Sequence, residues 1–237
     1  MAERPHQQQS KGAAPIVVAL DGMGEAQAMA LARMLRGRVW GHKVNDLLLR
    51  AGREVIPRLK AYGKVFCDAK LHDIPHTVAH QVRVLEEAGA DLITLHCSGG
   101  AEMLRAAVEA RRGDARLLGV TVLTALSEES AQAVYGRSSG EQVRRLSILA
   151  LQCGLDGIVC SPTDLEIAAD VDPQRRLLRV TPGVRPRWYG EPDDQQRVLA
   201  PADAIRAGAD LLVVGRPITN AEDQEKACDL LVEELSA

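Results

Sequence analysis

Short apolar, β-branched runs alternate with longer amphipathic stretches from residue 16 almost to the end of the chain. The runs occupy 16–21, 39–45, 65–70, 92–97, 117–123, 157–161, 177–181 and 211–215. Their near-continuous Val, Ile and Leu content predicts strands covered on both faces, as in parallel sheets. Between them, apolar positions recur at helical spacing over 25–36, 47–60, 77–88, 101–111, 142–153, 202–207 and 222–235. Gly37, Gly89, Gly113, Gly154 and Gly208 follow five of these segments, which predicts left-handed residues closing the helices. The phrase Glu87-Ala88-Gly89-Ala90-Asp91 returns as Arg206-Ala207-Gly208-Ala209-Asp210, each time just before a strand. About eight such βα units predict an α/β fold, a single-domain (β/α)8 TIM barrel over 15–237 after a disordered tail over 1–14. A doubly wound sheet is the competing arrangement, but Asp21-Gly22-Met23-Gly24 after the first run falls short of GxGxxG.

Composition narrows the function classes. The chain has 237 residues, 46% hydrophobic and 26% charged, enough for one sizeable core. A net charge of -3 and an aromatic content of 3% argue against nucleic acid as a partner. No apolar run approaches the roughly 18 residues of a membrane span, and the Gln-rich start has no signal-peptide core. The 5 cysteines include no CxxC pair, and Cys67, Cys97 and Cys160 sit in or at the end of apolar runs. They read as buried free thiols in a reducing compartment, hence a cytoplasmic protein.

The chemistry lies at the ends of the runs. In order they finish on or near Asp21, Lys43 and Asn45, Asp68 and Lys70, His96, Thr121 and Thr124, Ser161, Thr181 and Arg216. In a barrel these ends share one mouth, which is where such folds carry their sites. The densest cluster is Asp68-Ala69-Lys70-Leu71-His72-Asp73. Strand alternation would point Asp68 and Lys70 the same way, with Asp73 a few residues on. A lysine between carboxylates stays charged, which disfavours Schiff-base chemistry and favours proton donation. The same cluster is also compatible with an inert surface ion pair. Thr181-Pro182-Gly183-Val184-Arg185 and Val214-Gly215-Arg216-Pro217-Ile218 follow the seventh and eighth runs. Glycine, a helix start and an arginine in each suit a phosphate. The segment 184–198 reads either as a lid carrying Gln195 or as an idle surface loop.

At this point a resemblance enters. Val18-Ala19-Leu20-Asp21, Lys43, Asp68-Ala69-Lys70-Leu71-His72-Asp73-Ile74-Pro75-His76-Thr77, Val122-Leu123-Thr124, Thr181 to Arg185, Asp194-Gln195 and Val213-Val214-Gly215-Arg216 occur in order, and this pattern resembles orotidine 5′-phosphate decarboxylase. The resemblance implies a homodimeric barrel that makes uridine 5′-phosphate in the last step of its de novo synthesis, with no metal and no organic cofactor. It implies that Asp21 and Lys43 hold ribose hydroxyls, that Asp68 faces the substrate carboxylate and that Lys70 protonates C6. It places Thr124 near the pyrimidine and assigns the phosphate to Arg185, Gln195, Gly215 and Arg216. The run from Ala69 through Leu71, His72, Ile74, Pro75 and His76 completes the binding segment, with Asp73 and Thr77 reaching the partner subunit's site.

Three positions depart from the family pattern: Ala125 where a serine is common, Asn45 where a glycine is usual, and His76 in place of a small polar residue. Two rivals remain at this stage. A metal-dependent sugar-phosphate enzyme of the same barrel would need an acidic ligand at the second strand end, where Lys43 stands. His72 and His76 have i, i+4 spacing, but Pro75 argues against a continuous helix and leaves them as loop residues. His96 reads as a packed structural histidine. A non-catalytic phosphate-binding barrel would have no use for Lys70 between Asp68 and Asp73.

Overall fold

Eight parallel strands close on themselves in chain order, each paired with the strands before and after it in sequence. The computed structural model describes residues 12–190 and 198–236. The strands are β1 (Ala14–Ala19), β2 (Val39–Val44), β3 (Lys64–Leu71), β4 (Leu92–His96), β5 (Arg116–Val120), β6 (Gly157–Val159), β7 (Leu178–Thr181) and β8 (Leu211–Val214). Outside them lie α1 (Glu25–Met34), α2 (Asp46–Ala51), α3 (Val55–Lys60), α4 (Pro75–Glu87), α5 (Gly100–Ala110), α6 (Glu128–Tyr135) and α7 (Ser139–Gln152). The set is completed by α8 (Leu165–Val171), α9 (Pro201–Arg206), α10 (Arg216–Thr219) and α11 (Gln224–Ser236). The (β/α)8 barrel expected from the sequence is therefore the fold. β1 starts at Ala14, which pairs with Val39 and so belongs to the barrel rather than to a tail. Residues 1–11 of the expected tail lie outside the described residues.

Strands buried on both faces need two apolar layers. Val17, Ala19, Phe66, Leu92, Leu118, Leu178, Val180, Leu211 and Val213 fill the barrel interior. Their sequence neighbours Ile16, Val18, Cys67, Ile93, Leu117, Leu212 and Val214 pack outward under the helices. This is the period of two written into the all-apolar runs.

The repeated Gly-Ala-Asp phrase has a structural role at the closed end of the barrel. Asp91, just before β4, accepts the Val65 N–H of β3 at 2.8 Å. Asp210, just before β8, accepts the Arg179 N–H of β7 at 2.8 Å. Asp156, just before β6, does the same for Leu117 of β5 at 2.8 Å. Each carboxylate satisfies a strand-end donor of the preceding strand, which would otherwise be left without a partner where the ladder starts.

The structure departs from the sequence pattern in identifiable places. The expected helix over 47–60 is two, α2 and α3, because Gly52 takes φ 68° at its break. A continuous helix would also have set the Pro57 ring against the carbonyl of Arg53. Gly37, Gly89, Gly154 and Gly208 have positive φ as expected, but Gly113 does not. Helix α5 ends in an extended residue, Arg111, and Gly113 instead donates its N–H to Glu86 at 2.8 Å. Helix α10 supplies the helix start expected after the eighth run, whereas α6 and α8 were not anticipated. They are short, and α6 buries only Ala131, so its apolar stripe is too thin to read; its signals are the Ser127 cap and left-handed Gly136. All 5 cysteines are buried free thiols, and burial pushes the thiols of Cys67 and Cys97 up to about 12.

One buried group carries a pH prediction. His42 on β2 is fully buried, and neither ring nitrogen has a hydrogen-bond partner among the described residues. Burial pushes its pKa down from 6.5 to about 4. The unfolded chain therefore takes up a proton first. Its contribution is fully present above pH 6.5 and is lost as pH falls toward about 4. Urea unfolding should show this destabilisation between about pH 7 and about pH 4.5, worth roughly 2–3 kcal/mol, shrinking away in His42→Leu. Equal pH dependence in the two proteins would rule out His42 as the source.

Candidate active site

A cavity of about 540 Å³ opens where the strands end. Its lining is divided among three arcs of the barrel. Asp21, Lys43, Asp68 and Lys70 come from β1 to β3, and Val120, Val122, Leu123, Thr124, Val159 and Cys160 come from β5, β6 and the loops after them. Pro182, Gly183, Arg185, Gly215 and Arg216 come from the loops after β7 and β8. One wall is charged, one is apolar, and one carries arginines on glycine turns.

The charged wall is an alternating chain. Lys43 Nζ lies 2.6 Å from Asp21 Oδ2 and 3.2 Å from Asp68 Oδ2. Lys70 Nζ lies 2.5 Å from that same Asp68 oxygen. Asp68 and Lys43 are both 7% exposed, so each must be charged among partners or not charged at all. Burial works against the Lys43 ammonium, but Asp68 and Asp21 outweigh it and hold its pKa above the ordinary lysine value. Burial likewise opposes the Asp68 charge; Lys43, Lys70 and a hydrogen bond from Thr94 outweigh it and hold the carboxyl below its usual range. The site thus keeps the Lys43 ammonium and the Asp68 carboxylate charged and buried before any ligand arrives, with Lys70 and Asp21 at its more exposed ends.

This differs from the expected order. The residue held between opposite charges on both sides is Asp68, with Lys43 likewise between Asp21 and Asp68, whereas among the described residues Lys70 has Asp68 on one side only. Asp73 is exposed on the loop after β3 and makes no ion pair among the described residues; its Oδ1 accepts the N–H of Ile74 at 2.6 Å. Asp68 and Lys70 do share the inward face, but not through a regular pleat. Lys70 has φ 47°, and the β3–β4 register slips between Cys67 and Leu71.

The arginine wall rests on a tight turn. Gly183 has φ 77°, a left-handed conformation suited to glycine, and it turns the chain back after β7. The base of the following loop is pinned by Arg185 N–H donating to Leu199 O at 2.9 Å. Arg216 opens α10 directly after Gly215. Gln195 lies outside the described residues, as do all of residues 191–197 of the segment expected to act as a lid.

Of the candidate residues, Asp21, Lys43, Asp68, Lys70, Thr124, Arg185, Gly215 and Arg216 line one cavity. The segment past Lys70 does not line it. Leu71 turns outward into the helix layer with Ala69 packed beside it. His72 lies against His96 with ring centroids 5.4 Å apart and planes tilted by 35°, and burial, then His72 and Lys70, hold the His96 pKa below the ordinary value. Ile74 is 66% exposed, and Pro75, His76 and Thr77 form the first turn of α4. His76 is therefore helical, not a loop residue, while His72 lies before the helix. Among the described residues no group of three or more metal-type side chains converges. The apolar wall was not recognised as part of the site from sequence: Leu123 stood only within the Val122-Leu123-Thr124 motif and Cys160 only as a buried thiol, while Val120 and Val159 were not singled out. Its only signal was strand parity, since an inward position at the top of an apolar strand faces the mouth.

Fold and mouth together define a (β/α)8-barrel enzyme. Residues 14–231 match the sequence model of the orotidine 5′-phosphate decarboxylase / HUMPS family. Orotidine 5′-phosphate decarboxylase of Paramagnetospirillum magneticum is 42% identical over 233 residues, covering 93% of this chain and 98% of that protein. The enzyme of the same name from Halorhodospira halophila is 44% identical over 230 residues, covering 94% and 96%. The crystal structure of orotidine 5′-phosphate decarboxylase from Lactobacillus acidophilus superposes with a TM-score of 0.76 at 30% identity, covering 94% of this chain and 99% of that one. The chain belongs to the orotidine 5′-phosphate decarboxylase / HUMPS family, and like these relatives it is a carboxy-lyase. Among the described residues no helix is long and apolar enough to cross a membrane.

Proposed function

We propose that this protein converts orotidine 5′-phosphate to uridine 5′-phosphate and carbon dioxide, the last step of de novo pyrimidine nucleotide synthesis, with no metal or organic cofactor. The observation that carries the proposal is the Asp21–Lys43–Asp68–Lys70 chain on the cavity wall. In the reaction, the bond from C6 to the carboxylate breaks and its electron pair stays on C6. No neighbouring group of the pyrimidine delocalises that pair, so stabilisation must come from positive charge already in place. Lys70 supplies it and then gives C6 a proton. Asp68 faces the departing carboxylate, and its repulsion is offset by binding energy from the distant phosphate. Asp21 and Lys43 hold the ribose hydroxyls, Thr124 meets the pyrimidine, and Arg185, Gln195, Gly215 and Arg216 hold the phosphate. Asp73 and Thr77 complete the site of a second subunit, so the working unit is a homodimer. The buried free thiols favour a reducing, cytoplasmic setting.

The family name also covers other sugar-phosphate chemistry. Lys43 argues against a metal-dependent member, since its ammonium would repel a cation at the second strand end. Metal-stripped protein in EDTA, given orotidine 5′-phosphate, should turn over as followed by loss of orotate absorbance and release of carbon dioxide. Absence of turnover by folded protein would overturn the proposal.

A further inference from the structure

Strand β3 does not reach the mouth as a regular strand. Cys67 lies opposite Ile93 and Leu71 opposite Leu95, so β3 takes four steps while β4 takes two. Within that slack sits Lys70, with φ 47°. A residue with a Cβ disfavours this region, and such a backbone persists only where its surroundings over-determine it. The extra residues carry both central groups of the charged wall.

Two side chains from the flanking strands grip this bulge. Thr94 on β4 is fully buried. Its Oγ1 accepts the Lys70 N–H at 2.9 Å and donates to Asp68 Oδ1 at 2.9 Å. Because an ionised carboxylate can only accept, the hydroxyl's hydrogen is the one given to it. That engages Oδ1 and leaves Oδ2 to meet Lys43 and Lys70. From the other side Asn45, just past β2, donates Nδ2 to the main-chain oxygen of Asp68 at 2.7 Å. Neither Thr94 nor Asn45 lines the cavity.

We propose that Thr94 and Asn45 are positioning residues that hold the bulge between Asp68 and Lys70 in its working geometry. Thr94 sets the carboxylate rotamer and the lysine backbone with one hydroxyl; Asn45 fixes the peptide between them. The inference rests on the decarboxylase function proposed above and deepens it. Their loss lets the ammonium drift from C6, which slows the chemical step while the contacts for ribose and phosphate remain.

The test compares wild type, Thr94→Val, Thr94→Ser and Asn45→Ala in steady-state turnover of orotidine 5′-phosphate, with thermal melts and calorimetric titration of uridine 5′-phosphate. Thr94→Val should lower kcat about 100-fold with KM within about threefold, and bind product with unchanged stoichiometry. Thr94→Ser keeps the hydroxyl and should stay within about threefold of wild type, while Asn45→Ala should lose about tenfold in kcat. A Thr94→Val kcat within about threefold of wild type, or an equal loss in Thr94→Ser, would overturn the inference. If Thr94→Val does not fold, an unchanged kcat in Asn45→Ala overturns it instead. Folded wild type without turnover would remove the decarboxylase function itself, and the inference with it.

Discussion

Lys70→Ala is expected to lower kcat for orotidine 5′-phosphate by at least about 10⁴-fold, the combined scale of one lost proton donor and one lost charge contact to a developing anion. No other group can substitute. Lys43 reaches the same Asp68 oxygen but is committed to Asp21 at 2.6 Å on its other side. The fold should survive, because the lysine side chain is 35% exposed at the rim of the cavity. Its left-handed backbone costs alanine about as much as lysine, roughly 1–2 kcal/mol in either case, so the substitution adds little new strain. Asp68 retains Lys43 and the Thr94 hydroxyl as partners, so its buried carboxylate is not orphaned. Stopped-flow or steady-state turnover beside a thermal melt checks both halves. Turnover within about tenfold of wild type, from a protein with a normal melt, would eliminate Lys70 as the proton donor.

The same residues show what a sequence can and cannot disclose. Strand ends were legible because burial on both faces forces unbroken apolar runs, so the first polar residue after each run marks the mouth. That is how Asp21, Lys43, Asp68, Lys70 and Arg216 could be gathered into one site before any coordinates. The order of charges was less legible. A linear sequence places Lys70 between Asp68 and Asp73, but Lys43 comes from a neighbouring strand, and register across strands decides that Asp68 is the shared partner. The slip opposite Ile93 and the left-handed Lys70 leave no local signature, since neither glycine nor asparagine marks the position. Thr94 looked like one more β-branched residue in an apolar run. Its role exists only because two side-chain oxygens and an N–H meet across β3 and β4. The Gly-Ala-Asp repeat was visible in sequence, while its purpose needed the partner N–H groups of Val65 and Arg179. Helix α6 was missed for the opposite reason: little of it is buried, so tertiary contact wrote little into its pattern.

Mixing inactive Lys70→Ala with inactive Asp73→Ala protein is expected to restore about a quarter of wild-type activity after statistical subunit exchange, since half the dimers are mixed and each holds one intact site of two. The expectation rests on the homodimer proposed above and agrees with where the single chain leaves Asp73. Its side chain is exposed on the rim, away from the cavity lining, and among the described residues engages only the adjacent Ile74 N–H at 2.6 Å. Beside it the large apolar side chain of Ile74 is 66% exposed. An acid and an isoleucine presented together on the lip suit a surface that a second copy covers, with the acid delivered into the neighbouring mouth. In the mixed dimer, the Asp73→Ala chain supplies Lys70 and the Lys70→Ala chain supplies Asp73, so one complete constellation forms. Differently tagged subunits resolved by native mass spectrometry would establish that exchange has occurred. Activity that stays at the level of the separate variants once exchange is complete would mean that Asp73 acts within its own chain or not at all, and that the shared-site dimer is wrong.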